Sequence, residues 1–132
     1  MRELLENPRV WRTVLVLWVG FIFFSSTAVA GRWATDLYNA VFASLDVSGS
    51  TDVQFLAQKL FHVFMFVGLS RLLSSITVGK KGRQILICGA WCFTIGILSE
   101  GVQLLVSTRE PSLLDVMLNG CSGTLSSFLW VR

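Results

Sequence analysis

The chain has 132 residues, of which 53% are hydrophobic and 14% charged. Its formal net charge is +3 and its mean hydropathy +0.65, values outside the range of an ordinary soluble domain. The length is that of a single domain. The positive balance does not indicate nucleic acid, because the cations sit in short segments flanking apolar runs rather than on one soluble face.

Four stretches, at about 10–30, 55–77, 85–106 and 113–131, predict membrane spans, each near the roughly 20 residues that cross a bilayer. The first follows Pro8 and places Trp11 at one interface and Trp33 at the other. Ala28-Val29-Ala30 before Gly31 resembles a signal cleavage pattern, but the apolar run is long for a signal core and favours an uncleaved span. In the loop that follows, Leu37, Val41 and Leu45 recur every fourth residue beside Tyr38 and Phe42. This predicts an amphipathic helix on the outer surface, with Asp36, Asn39 and Asp46 in water. Such a helix acts as a lid or as a plain surface connector.

The second span carries Lys59, His62 and Arg71 around an apolar centre at 60–70, with Lys59 and Arg71 expected to snorkel to opposite interfaces. The basic, glycine-containing loop 78–84 reads as a connector that sets topology and meets anionic lipid. Cys88, Cys92 and Cys121 fall inside spans and read as packing residues. No disulfide framework, metal site or cofactor is expected from them. Gly89 with Gly96, and Gly120 with Gly123, allow close helix approach, and Trp130 anchors the last span.

Arg2, Arg9, Arg12, Lys80, Lys81, Arg83 and Arg132 fall on one side of this layout. The other side has Arg32 and Arg109 mixed with Asp36, Asp46, Asp52 and Glu110, so both termini are expected in the cytoplasm. The fold class expected is all-α: one integral membrane domain of four transmembrane helices with a short amphipathic helix in the first outer loop.

This topology brings polar pairs from three helices to the outer level. Lys59 and His62 are three apart, Glu100 and Gln103 three apart, and Asp115 and Asn119 four apart, so each pair shares a helix face, while Arg109 lies in the turn between the last two spans. Ionisable groups at membrane depth are costly and mark a candidate site. Lys59, His62, Glu100, Gln103, Arg109, Asp115 and Asn119 are the candidate ligand-binding residues, with Arg109 offering a planar fork suited to phosphate or carboxylate. Glu100, His62 and Asp115 are the candidate catalytic groups if the protein is an enzyme.

Structural alternatives stand beside each role. Arg109 closes the last hairpin by pairing with Glu100 or Asp115, Asp115 is a first-turn residue favoured by the helix dipole, Asn119 and Gln103 are interhelical clasps, and Lys59 only snorkels. Glu100 has no such local reason.

Lys59-x-x-His62, Glu100-x-x-Gln103, Arg109 and Asp115-x-x-x-Asn119 with Gly123 together resemble the VanZ family of small bacterial membrane proteins. The resemblance spans the four-helix layout. It departs at Gln58, where the family often has an acidic residue, and in the long outer loop. It implies a bacterial cytoplasmic membrane location and a link to resistance to teicoplanin, a lipid-bearing glycopeptide.

The leading expectation is a protein that binds the head group of an outer-leaflet amphiphile, such as a lipid-linked wall precursor or a lipoglycopeptide. Its alternatives are an intramembrane hydrolase or transferase, whose nucleophile would be Ser99, Ser107, Thr108 or Ser112 by proximity alone, and a small transporter or scaffold. Apart from Arg71 with its flanking serines, polar residues are sparse in the inner half, which disfavours transport by a monomer. The sequence sets neither the oligomeric state nor the ligand.

Overall fold

The computed structural model describes residues 7–42, 51–105 and 112–131, which form five α-helices and, among the described residues, no strands. Helix α1 (Pro8–Ser25) opens on Asn7, whose Oδ1 accepts the Arg9 N–H at 3.0 Å, with Pro8 at the first helical position, where an amide is not needed.

The expected span at 10–30 is interrupted, because the helix stops at Ser25 and α2 (Ala28–Phe42) begins three residues later. The cause is local. Ser25 and Ser26 hydroxyls both donate to the Ile22 carbonyl, and Thr27 donates to Phe24, bonds that loosen the backbone ladder. Thr27 then caps α2 by accepting the Ala30 N–H at 3.4 Å. The amphipathic helix therefore starts earlier than the Leu37–Val41–Leu45 spacing suggests; Leu45 and Asp46 lie outside the described residues. On α2, Val29, Trp33 and Leu37, spaced four apart, form an exposed apolar stripe, and Asp36 is exposed beside it.

Helices α3 (Thr51–Ile76), α4 (Lys81–Leu104) and α5 (Leu113–Trp130) run up, down and up, with α5 packed against both others. Gly79, at φ +145°, makes the α3–α4 turn, and Gln84 Nε2 closes it on the Thr77 carbonyl at 2.9 Å. The core is formed by Phe66, Leu69, Cys88, Cys92 and Ile95, with Ile22 of α1 completing it. Glycines set the spacing: a Cβ on Gly120 would lie 2.4 Å from the Phe93 ring, and one on Gly123 would lie 2.5 Å from Cys92 Sγ.

Helix α1 lies antiparallel along α3. Phe21 meets Phe61 edge to face at 6.3 Å, the Trp18 indole covers Gly68 while donating to the Met65 carbonyl at 2.9 Å, and Trp11 reaches Arg71.

Three helical segments are long and apolar enough to cross a membrane: Pro8–Ser25, Leu56–Ile76 and Lys81–Leu104. The outward faces match this. Val16, Leu17, Phe64, Leu86 and Leu129 are exposed, more apolar surface than water-facing helices carry. The fourth expected span, at 113–131, is helical as α5 but falls short of the same apolar measure because it carries Asp115, Asn119, Ser122, Thr124, Ser126 and Ser127.

Candidate functional site

The three expected polar pairs lie toward the end of the bundle where α3 starts, α4 ends and α5 starts. Lys59, in the third turn of α3, forms an ion pair through Nζ with Oδ1 of Asp115 in the first turn of α5, and both side chains are largely buried. A carboxylate in the first turn also complements the positive end of the helix dipole. The partner of Asp115 is thus a cation on a different helix, 56 residues away in sequence.

Glu100, one turn before the end of α4, is buried and has a definite local task. Its Oε2 accepts the backbone N–H of Ser112 at 3.1 Å, and its Oε1 accepts Gln103 Nε2 at 3.3 Å. Ser112 is the N-cap residue of α5, and its own hydroxyl makes no cap bond. The carboxylate of α4 therefore satisfies one of the free amides that every helix start exposes. The sequence offered no reason for Glu100; the fold supplies one, as the link that closes the α4–α5 hairpin. Gln103 bonds within its own helix rather than clasping a neighbour.

His62 lies one turn beyond Lys59, half-buried, on the α3 face that continues through the fully buried Phe66 and Leu69. Asn119 lies one turn beyond Asp115, about 6 Å deeper along α5. It has no solvent exposure, and its Cβ packs against Gly96 of α4 with the Phe66 ring alongside. Neither its Oδ1 nor its Nδ2 has a hydrogen-bond partner among the described residues, so it is not the interhelical clasp that the sequence allows. A wholly buried amide without partners is strongly unfavourable and calls for an explanation.

Ser99, adjacent to Glu100, donates to the Gly96 carbonyl at 2.9 Å. Arg109, with Ser107 and Thr108, lies outside the described residues. Among the described residues no three His, Cys, Asp or Glu side chains gather as metal ligands.

The structure therefore brings together Lys59 with Asp115, and Glu100 with Gln103, and places Asn119 beneath them. Sequence reading missed one further grouping at the opposite end, where Arg71 Cζ lies near the rings of both Trp11 and Trp130. The available signal is that Trp11 and Trp130 stand beside Arg12 and Arg132, two cations expected on the same side. No family model, curated protein or solved structure matches the chain.

Proposed function

We propose that the chain is a four-span membrane protein whose polar end faces outward and binds the head group of an envelope amphiphile. Asn119 carries this reading. Its amide is built into the helix interface with donors and acceptor unmet, directly beneath a lysine and two carboxylates. A ligand's polar group entering between Lys59–Asp115 and Glu100–Gln103 would complete it, leaving acyl chains in the surrounding lipid.

Several observations support the membrane placement. α5 spans about 27 Å at 18 residues, close to the roughly 30 Å hydrocarbon core. Its polar residues Asn119, Ser126 and Ser127 are buried while Leu113, Leu114, Leu125 and Leu129 face out, so the surface offered to lipid is apolar although the average is not. The exposed Arg9, Arg12, Lys80, Lys81 and Arg83 cluster at the other end, which the positive-inside bias assigns to the cytoplasm. The apolar stripe of α2 suits a helix lying on the outer interface.

The resemblance to the VanZ family adds a lipoglycopeptide or a lipid-linked wall precursor as ligand class, by analogy alone. Binding is favoured over hydrolysis because both candidate carboxylates are engaged, Asp115 with Lys59 and Glu100 with the start of α5. Thermal unfolding in micelles tests the proposal, with teicoplanin and a lipid-linked wall precursor as probes. A ligand at a hundredfold excess over Kd stabilises the folded state by about 2.7 kcal/mol. One of the probes should raise the melting temperature of wild type and leave Asn119→Leu unmoved; equal shifts in both proteins, or none in either, would count against it.

A further inference from the structure

The opposite end of the bundle holds a second arrangement, independent of the polar end. Arg71 interrupts the apolar run of α3 five residues before the helix ends, and its guanidinium is exposed. Cζ lies 5.3 Å from the ring centroid of Trp130, the last residue of α5, and 6.0 Å from that of Trp11, near the start of α1. Nη1 donates to Ser75 Oγ at 2.7 Å, which tethers one arm of the fork to its own helix. Its remaining N–H groups have no protein acceptor among the described residues.

Charge composition separates this site from a structural ion pair. The described carboxylates, Asp36, Glu100 and Asp115, all belong to segments at the other end of the bundle. Among the described residues, the exposed charges at this end are cationic: Arg9 and Arg12 flank Trp11, and Lys80, Lys81 and Arg83 follow α3. A guanidinium attracted to aromatic rings through its cationic charge still offers N–H donors in a fork that suits a planar or tetrahedral oxyanion, a geometry that an ammonium cannot copy. Tryptophans at a helix end mark the head-group level of a bilayer, where the available oxyanion is phosphate.

We infer that Arg71, beside the rings of Trp11 and Trp130, is a phosphate-binding site at the basic end of the bundle. The phosphate is that of an anionic phospholipid or a free phosphate ion. The two rings and Ser75 restrain the fork, the surrounding cations raise the local anion concentration, and the phosphate joins the ends of α1, α3 and α5 through one residue.

The test uses the full chain in nanodiscs of phosphatidylcholine with and without phosphatidylglycerol. Retained phosphatidylglycerol is counted by native mass spectrometry on folded protein. Arg71→Gln should retain it about tenfold less tightly than wild type, the size of one charge-assisted hydrogen bond lost. Arg71→Lys, which keeps the charge but not the fork, should fall between. If inorganic phosphate instead protects wild type against heat in phosphatidylcholine alone, and does not protect Arg71→Gln, the same site takes phosphate from solution. Equal behaviour of wild type and Arg71→Gln in both arms would overturn the inference, as would retention that follows Lys80→Gln/Lys81→Gln and ignores Arg71. Should Arg71→Gln fail to fold, Trp130→Leu keeps the cation and removes one of the two rings; it should retain phosphatidylglycerol more weakly, and unchanged retention would again overturn the inference.

Discussion

Replacing Asn119 with leucine should make the ligand-free protein more stable by about 1–3 kcal/mol, the penalty otherwise carried by a buried polar group without partners. The side chain has no exposure, and both its amide atoms lack hydrogen-bond partners among the described residues. Leucine has the same branching, fills the space against Gly96 and Phe66, and brings nothing that needs a partner. An asparagine acting as a helix clasp would give the opposite sign, because its removal would break interhelical bonds. A stability gain together with lost binding is the pattern of a site that keeps an unfavourable group for its ligand. Thermal unfolding of the two proteins without added lipid decides it; a lower melting temperature for Asn119→Leu would show that the amide is matched in the folded protein.

Replacing Gly123 with leucine should have the larger effect, a destabilisation of about 3 kcal/mol or more, because overpacking a close helix contact forces backbones apart. A Cβ at this position would stand 2.5 Å from Cys92 Sγ, 2.8 Å from Cys92 Cβ and 3.5 Å from the Phe66 carbonyl oxygen, so all three core helices converge on it. The damage would spread to the polar end, since α5 carries Asp115 and Asn119 on the same rigid rod. Gly20→Leu is the control, as nothing lies within 4 Å of a Cβ at that position. Relief should be specific: Cys92→Gly should rescue Gly123→Ala, a coupling that a double-mutant cycle measures. If Gly123→Leu unfolds at the same temperature as Gly20→Leu, α4 and α5 do not pack as closely as described.

Much of the helical layout is legible in the chain because apolar runs and helical periods are local properties. The segments around Leu56–Ile76, Lys81–Leu104 and Leu113–Trp130 follow from hydropathy, and the facing of Glu100 with Gln103 follows from a separation of three. The break at Ser26 was hidden because three consecutive hydroxyl residues inside an apolar run read equally as tolerated span residues or as a helix stop. Hydrogen bonding back to Ile22 and Phe24 decides between them.

The polar end was legible as a place but not as a set of pairings. Which cation meets Asp115 depends on helix rotation, and the contact with Lys59 joins residues 56 apart. Glu100 appeared unexplained in sequence because its partner is a backbone amide, which every residue type but proline carries. Asn119 stands out only once its neighbours are known, since an unmet hydrogen bond is a property of surroundings. The polar content of α5 lowers its average hydropathy, yet those residues turn inward, a distinction that composition does not contain.

Mass spectrometry of the lipids that co-purify with wild type and Asn119→Leu from bacterial membranes tests the head-group site most directly. A chemically unchanged amphiphile should accompany wild type in roughly molar amount and be lost from Asn119→Leu, despite the greater stability expected of that variant. The same lipids in the same amounts on both proteins, or a lipid altered by wild type, would contradict a binding site at Asn119.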